Sequence, residues 1–511
     1  MRSLIRSVVV VAAALPAVAL SACHAGSTAT SIGRISGSDT IVVGTTSAPA
    51  SLDFTTTGGA AIPQALMSNV YEGLVRITAD GEVVPHLATS WEVSEDGTVY
   101  TFQLREDVTF SNGDEFTAET AAFSIGYVQD NWTNGLAAGM DAVVGTTVLA
   151  PHVLQVTLER PSNNWLWSMG TLIGAMMTPN GIDTLATDPV GTGPYTVAQW
   201  AVGESITFET RPDYWGPEPE NATAAIRYFS DATATTNALQ SGDVDLVWAM
   251  QAPELLDNLP DNYDVAVGTT QGELLLSMNN RVAPFDDVRV RQAVMHAVDR
   301  RAIIDLVYEG HGTDTGGVPV PPSDPWYGKS DRYPVGPQRA RQLLASAGYE
   351  PGEAEVTISV PSLPYAEATA EVLYSQLRDV GFDVELKSTE FPAVWLAEVM
   401  GDHDYQMSLI AHVEARDIPV LFGNPDYYLG FDSALVREEL MLADTGPLSE
   451  QAGHMQAAVA EIMDQAGADT LLNVPNIVLS APGVTGVEPD VVTDALPLAG
   501  ISRQMPAGEV E

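Results

Sequence analysis

The stretch from Thr187 to Met250 constrains the fold more than any other, because a tight turn, strand patterns, a rigid aromatic loop and a strand–helix–strand unit follow one another in it without a spacer. It opens with Pro189-Val190-Gly191-Thr192-Gly193-Pro194-Tyr195. Two glycines permit positive φ or a close backbone approach, and Pro194 lacks an N–H, so the chain must turn before a strand resumes at Thr196-Val197. Ser205 to Glu209 again reads as a strand. Arg211-Pro212-Asp213-Tyr214-Trp215-Gly216-Pro217 then sets two prolines around an aromatic pair, the composition of a packed loop. In the βαβ-like unit that follows, Ile226 to Phe229 is the first strand and Ser230 or Asp231 caps a helix from Ala232 to Gln240. Gly242 suits the position after that helix, and Val244 to Trp248 is the second strand.

A chain of 511 residues with 45% apolar and 17% charged residues fits two or three globular domains or one large bilobal body, and not a disordered chain. Lys and Arg number 22 against 67 Asp and Glu, a formal charge of −45. Such a surface repels nucleic acid and anionic headgroups, which excludes a basic-groove function. The acidity itself reads as solubility or adaptation to salt before it says anything of a ligand.

At the N-terminus Arg2 and Arg6 precede an apolar run from Val8 to Leu20 and then Leu20-Ser21-Ala22-Cys23. The run is shorter than the roughly twenty residues a spanning helix needs, and its order is that of an export signal over residues 1–22. Cys23 is the only cysteine, so no intrachain disulfide forms and stability rests on core packing. Leu-Ser-Ala-Cys resembles the bacterial lipobox, which implies cleavage before Cys23 and lipid attachment to it. Residues 23–39, rich in Gly, Ser and Thr, then form a tether.

Further along, strands are expected at Thr40–Gly44, Thr98–Leu104 and Val153–Leu158, and helices at Ala65–Leu74 and Ala118–Gln129. Trp165 and Trp167 either line a cleft or pack a core. Leu274 to Asn279 is a buried strand, and Asp286 or Asp287 caps a helix whose stripe is Val290, Val294, Ala297 and Val298, with Arg289 and Arg291 on a solvated or salt-bridged face. Asp299 starts a short helix through Tyr308, and Pro337–Ala347 is another. Strand Val356–Val360, helix Ala366–Val380 and strand Phe382–Leu386 form a second β-α-β run, which implies a second α/β lobe. Helix Glu450–Ala466 and the β-prone run Ile477–Ser480 follow. His86, His296 and His311 carry no metal spacing.

Three phrases of the opening stretch together resemble the peptide/nickel-type extracellular solute-binding proteins of ABC importers: Gly191-Thr192-Gly193-Pro194-Tyr195, Arg211 to Gly216, and Asp231 to Ala234 with Asn237 to Asp245. Tyr71-Glu72-Gly73-Leu74, Phe110 to Thr117 and Ala283 to Ala293 are similar to the same family. The resemblance implies an α/β, bilobal, periplasmic-binding-protein-like fold of type II with an extra small domain in the first lobe. Lobe I then comprises 40–76 plus 189–280 plus 473–511, the inserted domain 77–188 and lobe II 281–472, with crossings near Asn279-Asn280 and Asn473-Val474. It implies capture of an extracellular oligopeptide or similar small solute between the lobes and delivery to an ABC permease and ATPase complex, by a monomer anchored through lipid to the outer face of the bacterial cell membrane. A sugar, a nickel chelate or another non-peptide solute, or presentation of a ligand to a sensor, is the alternative on the same fold.

No Gly-x-Ser-x-Gly elbow, His-Glu-x-x-His, Walker loop or complete dinucleotide fingerprint occurs, so no enzyme and no cofactor is expected. The resemblance places the amine-holding acid of peptide-binding members in Ala411-His412-Val413-Glu414-Ala415-Arg416-Asp417-Ile418-Pro419. Glu414 falls on that position. Ala411 stands where the family has tryptophan, the aspartate is lengthened to glutamate, and the proline is displaced, which puts specificity in doubt. Glu414 is alternatively a surface partner of Arg416, and His412 beside it raises the nickel-chelate alternative, although no dedicated metal site is expected. Trp395, near the family's pocket aromatic, together with Trp248 and Asp417, completes the candidate ligand-binding set. The lipobox reading predicts that Cys23→Ser shifts the protein from the membrane fraction to the medium, as fractionation and immunoblotting would record. A variant that stays membrane-bound has another anchor.

Overall fold

The computed structural model describes residues 39–503, which belong to one compact unit. The export signal, Cys23 and most of the tether lie outside the described residues. Along the chain, β1 (Thr40–Thr45) leads to the short helix α1 (Ala61–Leu66) and the hairpin of β2 (Val75–Ile77) and β3 (Val83–Pro85). A unit with its own sheet follows: β4 (Ala88–Val93), β5 (Val99–Leu104), α2 (Ala118–Asn131), β6 (Val143–Ala150), β7 (Val153–Leu158) and α3 (Asn163–Ser168), with strands ordered β4-β5-β7-β6. The chain then returns to the main sheet through β8 (Tyr195–Ala201), β9 (Ser205–Thr210), β10 (Thr223–Tyr228), α4 (Ala232–Ser241) and β11 (Leu246–Val247). β10 and β11 flank β1 and both run parallel to it, so α4 is the crossover of a βαβ unit. Its ends are those the sequence specifies: Asp231 accepts from Ala234 N at 2.8 Å, and Gly242 closes the helix at φ 75°.

The second half begins with the 15-residue strand β12 (Asp264–Met278) and helices α5 (Val288–Ala297), α6 (Arg300–Val307) and α7 (Pro337–Ala347). β13 (Ala354–Pro361), α8 (Pro364–Val380) and β14 (Phe382–Thr389) form a second parallel βαβ unit. The single turn α9 (Ala393–Trp395), β15 (Met407–His412), α10 (Ile418–Gly423), α11 (Ala434–Thr445), α12 (Leu448–Asp464) and the 13-residue β16 (Ala468–Ser480) complete it. The ten-stranded sheet is ordered β14-β13-β15-β12-β16-β11-β1-β10-β9-β8. β12 and β16 are thus the joint between the two α/β halves. Their antiparallel pairing breaks between Thr269 and Glu273 and resumes beyond it. Strand alternation sorts the second half's core: Leu274, Leu276 and Met278 enter the cluster covered by α5–α8, whereas Leu275 enters the opposite one with Trp326, Trp395 and Tyr428. Among the described residues no helix is long and apolar enough to cross a membrane.

Two expectations need correction. The helix expected over Ala65–Leu74 ends at Leu66, with Ser68 at φ 65°. The carbonyls of Asn69 and Val70 accept from Tyr195 N and Gly193 N, both at 2.9 Å, instead of serving a helix. A Cβ on Gly191 would lie 1.9 Å from Val70 O, so only glycine lets the two backbones meet. Arg291 is buried rather than on a solvated face. Its guanidinium donates to the carbonyls of Phe285, Gln465 and Ala466, and so ties α5 to the end of α12.

Three of the family-like phrases, those that hold Glu72, Thr192 and Tyr214-Trp215, meet in space at Glu72. This buried carboxylate accepts from Thr192 Oγ1 (2.9 Å), Tyr214 Oη (2.8 Å) and Trp215 Nε1 (2.9 Å), and lies 3.0 Å from His86 Nε2. Buried Arg211 donates to the carbonyls of Gly191 and Gly193, which fixes the turn from its other side. Removing the carboxylate strands the buried Thr192 hydroxyl and the part-buried donors of Tyr214 and Trp215, each costing about 1–3 kcal/mol at most. Glu72→Ala should therefore lose about 3 kcal/mol or more in chemical denaturation, and a loss below ~1 kcal/mol would show that the three phrases do not depend on it.

Candidate functional site

β15, an inner strand between β13 and β12, ends in the candidate tract. His412 is its last residue, paired with Glu273 on β12, and the chain then turns sharply, with Arg416 in the left-handed region at φ 55°, before Pro419 enters the first turn of α10. This turn leaves Glu414 exposed. It brings Asp417 back to within 3.8 Å of His412 Nδ1. His412 is buried and its Nε2 lies 2.9 Å from Tyr428 Oη.

Arg416 points away from Glu414, so the surface pair between them is not formed. Its guanidinium lies between the indoles of Trp167 and Trp326, 4.6 Å from each ring centre, donates to Gly81 O at 2.9 Å and sits 3.6 Å from Asp324 Oδ1. Glu414 accepts only a 3.3 Å bond from Val413 N. Trp167 thus serves the interface between halves, whereas Trp165 packs at 4.9 Å on Tyr100 inside the four-stranded unit.

Polar groups are collected here without partners. Among the described residues, Gln271 Oε1, Glu273 Oε1, both carboxylate oxygens of Asp324, Asp417 Oδ2 and Asn473 Oδ1 are buried acceptors with no hydrogen bond, beside the unpaired donors Trp167 Nε1, Trp326 Nε1 and Arg416 Nε. Buried polar atoms are almost always satisfied by protein, ordered water or a bound group, so this concentration leaves room for such partners. The surplus is of acceptors and negative charge.

The ionisation equilibria say the same. Burial, reinforced by the charge of Asp417, pushes the Glu273 carboxyl well above the usual range, against a 3.2 Å bond from Thr470 Oγ1. Asp417 is pushed up to about 7 by burial and then by Glu414, and Asp324 to about 6 by burial despite Arg416. Asp494 is raised by burial and by Glu414. Burial lowers His412 to about 4, so it is a neutral imidazole near pH 7 although Glu414 opposes the shift. Crowded carboxyls of this kind hold protons that a cation can replace.

Of the residues singled out in the sequence, the structure brings His412, Glu414 and Asp417 together, and Ala411 adjoins them on β15 with its N–H donated to Tyr365 Oη at 3.1 Å. Trp395 is fully buried and donates its indole N–H to Ser408 Oγ at 3.0 Å. Trp248 is buried in the other half, where its backbone N–H bonds to Gly44 O. Glu273, Asp324, Asp494 and Trp326 were not anticipated. The signal for Glu273 was legible: one carboxylate heads the run Leu274-Leu275-Leu276.

The chain belongs to the bacterial extracellular solute-binding proteins, family 5, whose sequence profile matches residues 82–423. It is 28% identical over 376 residues to the nickel-binding periplasmic protein of Escherichia coli (strain K12), covering 68% of this chain and 70% of that one. It is 31% identical over 316 residues to heme-binding protein A of Haemophilus influenzae, covering 55% of this chain and 57% of that one. Its fold matches that of the periplasmic binding protein DppA from Helicobacter pylori, solved in complex with the peptide STSA, with a TM-score of 0.71, 23% identity and coverage of 91% and 98% of the two chains. The architecture is therefore the bilobal, type II periplasmic-binding fold.

The raised Asp417 carboxyl has a measurable cost. Its folded value of about 7 exceeds the ordinary 3.8, so the native state binds more protons between those values and stability falls as pH rises across that window. Asp417→Asn removes this residue's share of the slope: the unfolding free energy should match the parent at pH 4 and exceed it at pH 8 by on the order of 2–4 kcal/mol. Equal stability of the two proteins at pH 8 would contradict the assigned burial.

Proposed function

We propose that this protein is the solute-capturing component of an ABC importer, and that the solute carries a cationic, N–H-rich group, in the first instance the α-ammonium of a short peptide. The carrying observation is the unpaired acceptor cluster of Glu273, Asp417 and Asn473 beside the exposed, unpaired Glu414, at the place where the second half faces the four-stranded unit. The protein works by binding and release, in company with a permease and ATPase, and is held at the outer membrane face through lipid on Cys23. Residues 77–188 act as the inserted domain, and the body around β1, β10 and β11 acts as lobe I; the boundary expected near Asn279-Asn280 moves back to the register break in β12, because Leu274, Leu276 and Met278 pack in the second half's core. The register break between Thr269 and Glu273, opposite Asn473, supports a hinge in the middle of β12.

A carboxylate in a closed cleft is costly unless a cation or several donors compensate it. Glu414→Gln keeps the shape and removes the charge. Calorimetry should find that this change weakens an ammonium-bearing peptide by about 2–5 kcal/mol, that N-acetylating the peptide costs the parent a similar amount, and that the two together cost far less than their sum. Unchanged affinity in Glu414→Gln returns that residue to the solvated surface.

One observation favours a second reading, a metal-bearing solute: ligand atoms of His412, Glu414 and Asp417 all lie within 4.8 Å of one another, and His412 is neutral. Metal–ligand distances of about 2.0–2.2 Å require these atoms to draw together slightly. His412→Ala separates the readings, because it abolishes capture of a nickel complex and leaves an ammonium peptide bound by the carboxylates.

A further inference from the structure

Among the described residues the four-stranded unit meets the second half at the Arg416 stack and, across a shared small cavity, at Asp444. Asp444, in the last turn of α11, reaches the beginning of α3. Its Oδ1 accepts from Ser162 Oγ at 2.8 Å and from Asn164 N at 3.0 Å, and its Oδ2 accepts from Arg160 Nη1 at 2.6 Å. In return Asn163 Nδ2 donates to Ala443 O at 2.9 Å and to Gly446 O at 3.0 Å. The first N–H groups and the last C=O groups of a helix have no partner within it. In this joint the ends of two helices, some 280 residues apart in sequence, satisfy one another. Ser162 also accepts from Trp165 N at 3.1 Å, so the residue that starts α3 is the one that grips Asp444.

We infer that this junction of α3 with α11, centred on Asp444, is a closure latch that holds the four-stranded unit against the second half before any solute is bound. Its chemistry suits a contact that opens. It consists of hydrogen bonds and one ion pair with an Arg160 side chain 58% exposed, all of which water can replace, whereas an apolar interface of that position would stay shut. The other contact of the same two bodies is the Arg416 stack on Trp167 and Gly81, which lies directly between Glu414 and Asp417 in sequence. α3 carries Trp167 at its other end, so release of Asp444 frees the wall of that stack. Solute affinity then depends on the latch through the fraction of molecules already closed. The inference rests on the solute-binding reading for this consequence alone, because the latch itself is measurable with no solute present.

Hydrogen–deuterium exchange of the full chain, without solute, tests it. Arg160→Ala and Asp444→Asn should raise exchange not only in the joint itself but also, by roughly tenfold, beyond the shared cavity at the amides of 79–82 and 413–417, while β10 and α4 keep their protection. If exchange rises only at 160–168 and 440–446, or nowhere, the joint is a local contact and the latch is refuted. Should Asp444→Asn lose protection in β10 and α4 as well, it has unfolded. The exposed Arg160→Ala variant, and Asn163→Ala as a second, then decide on the same two segments. A weak solute with intact latch behaviour counts against the solute reading and not against the latch.

Discussion

The antiparallel ladder of β12 with β16 is the constraint on which the rest depends. One sheet runs through both halves, yet only these two strands carry it across, and their pairing is interrupted between Thr269 and Glu273. A continuous ladder would make the sheet a rigid plate, whereas a break in two strands leaves two plates joined at a soft seam. Three residues at the seam, Gln271, Glu273 and Asn473, each keep one buried oxygen without a hydrogen bond among the described residues. On the proposed reading, hinge and site share these residues, and a solute that satisfies those atoms also bears on the angle between the halves.

The charge balance at the seam explains why a site of this kind is costly to keep. Glu273, Asp324, Glu414, Asp417 and Asp494 crowd a region in which Arg416 is the cation that faces them, and Arg416 is already held by two indoles and by Asp324. Burial raises Asp417 and Asp324 towards neutrality, so protons stand in for the missing positive charge. An incoming cation displaces them, and its affinity should decline as pH falls below about 7, where the Asp417 proton competes. Stability given up at a binding site and recovered on occupation is the usual relation between the two.

Much of the fold was legible because its signals are local. Asp231 and Gly242 bound α4, Asp287 starts α5, and Gly381 ends α8, each through a backbone requirement that the residue type announces. The same reasoning failed where tertiary bonds outrank local pattern. Val70 sits at helical spacing with Met67, Tyr71 and Leu74, but its carbonyl and that of Asn69 are taken by Gly193 and Tyr195. The full lengths of β12 and β16 were hidden because Thr269 to Glu273 and Asn473 to Asn476 interrupt the apolar alternation with polar residues and a proline, at the seam itself. In the site, the tract 411–417 was found through its family likeness. Asp324 and Trp326 were not, since a proline-rich loop says nothing of which turn it will lie against. Trp395 shows the converse error, an aromatic near the site in sequence that spends its polar atom inside the core.

The central claim is that the acid cluster at the seam receives a positively charged group. A crystal structure of the protein with a solute co-purified or identified by screening tests it most directly. The account predicts an ammonium, guanidinium or metal-bound group of the solute within about 3 Å of carboxylate oxygens of Glu414 and Asp417, with Glu273 and Asn473 no longer unpaired. A solute that turns a carboxylate or an uncharged face to those two residues, or that binds elsewhere and leaves the cluster untouched, would contradict it.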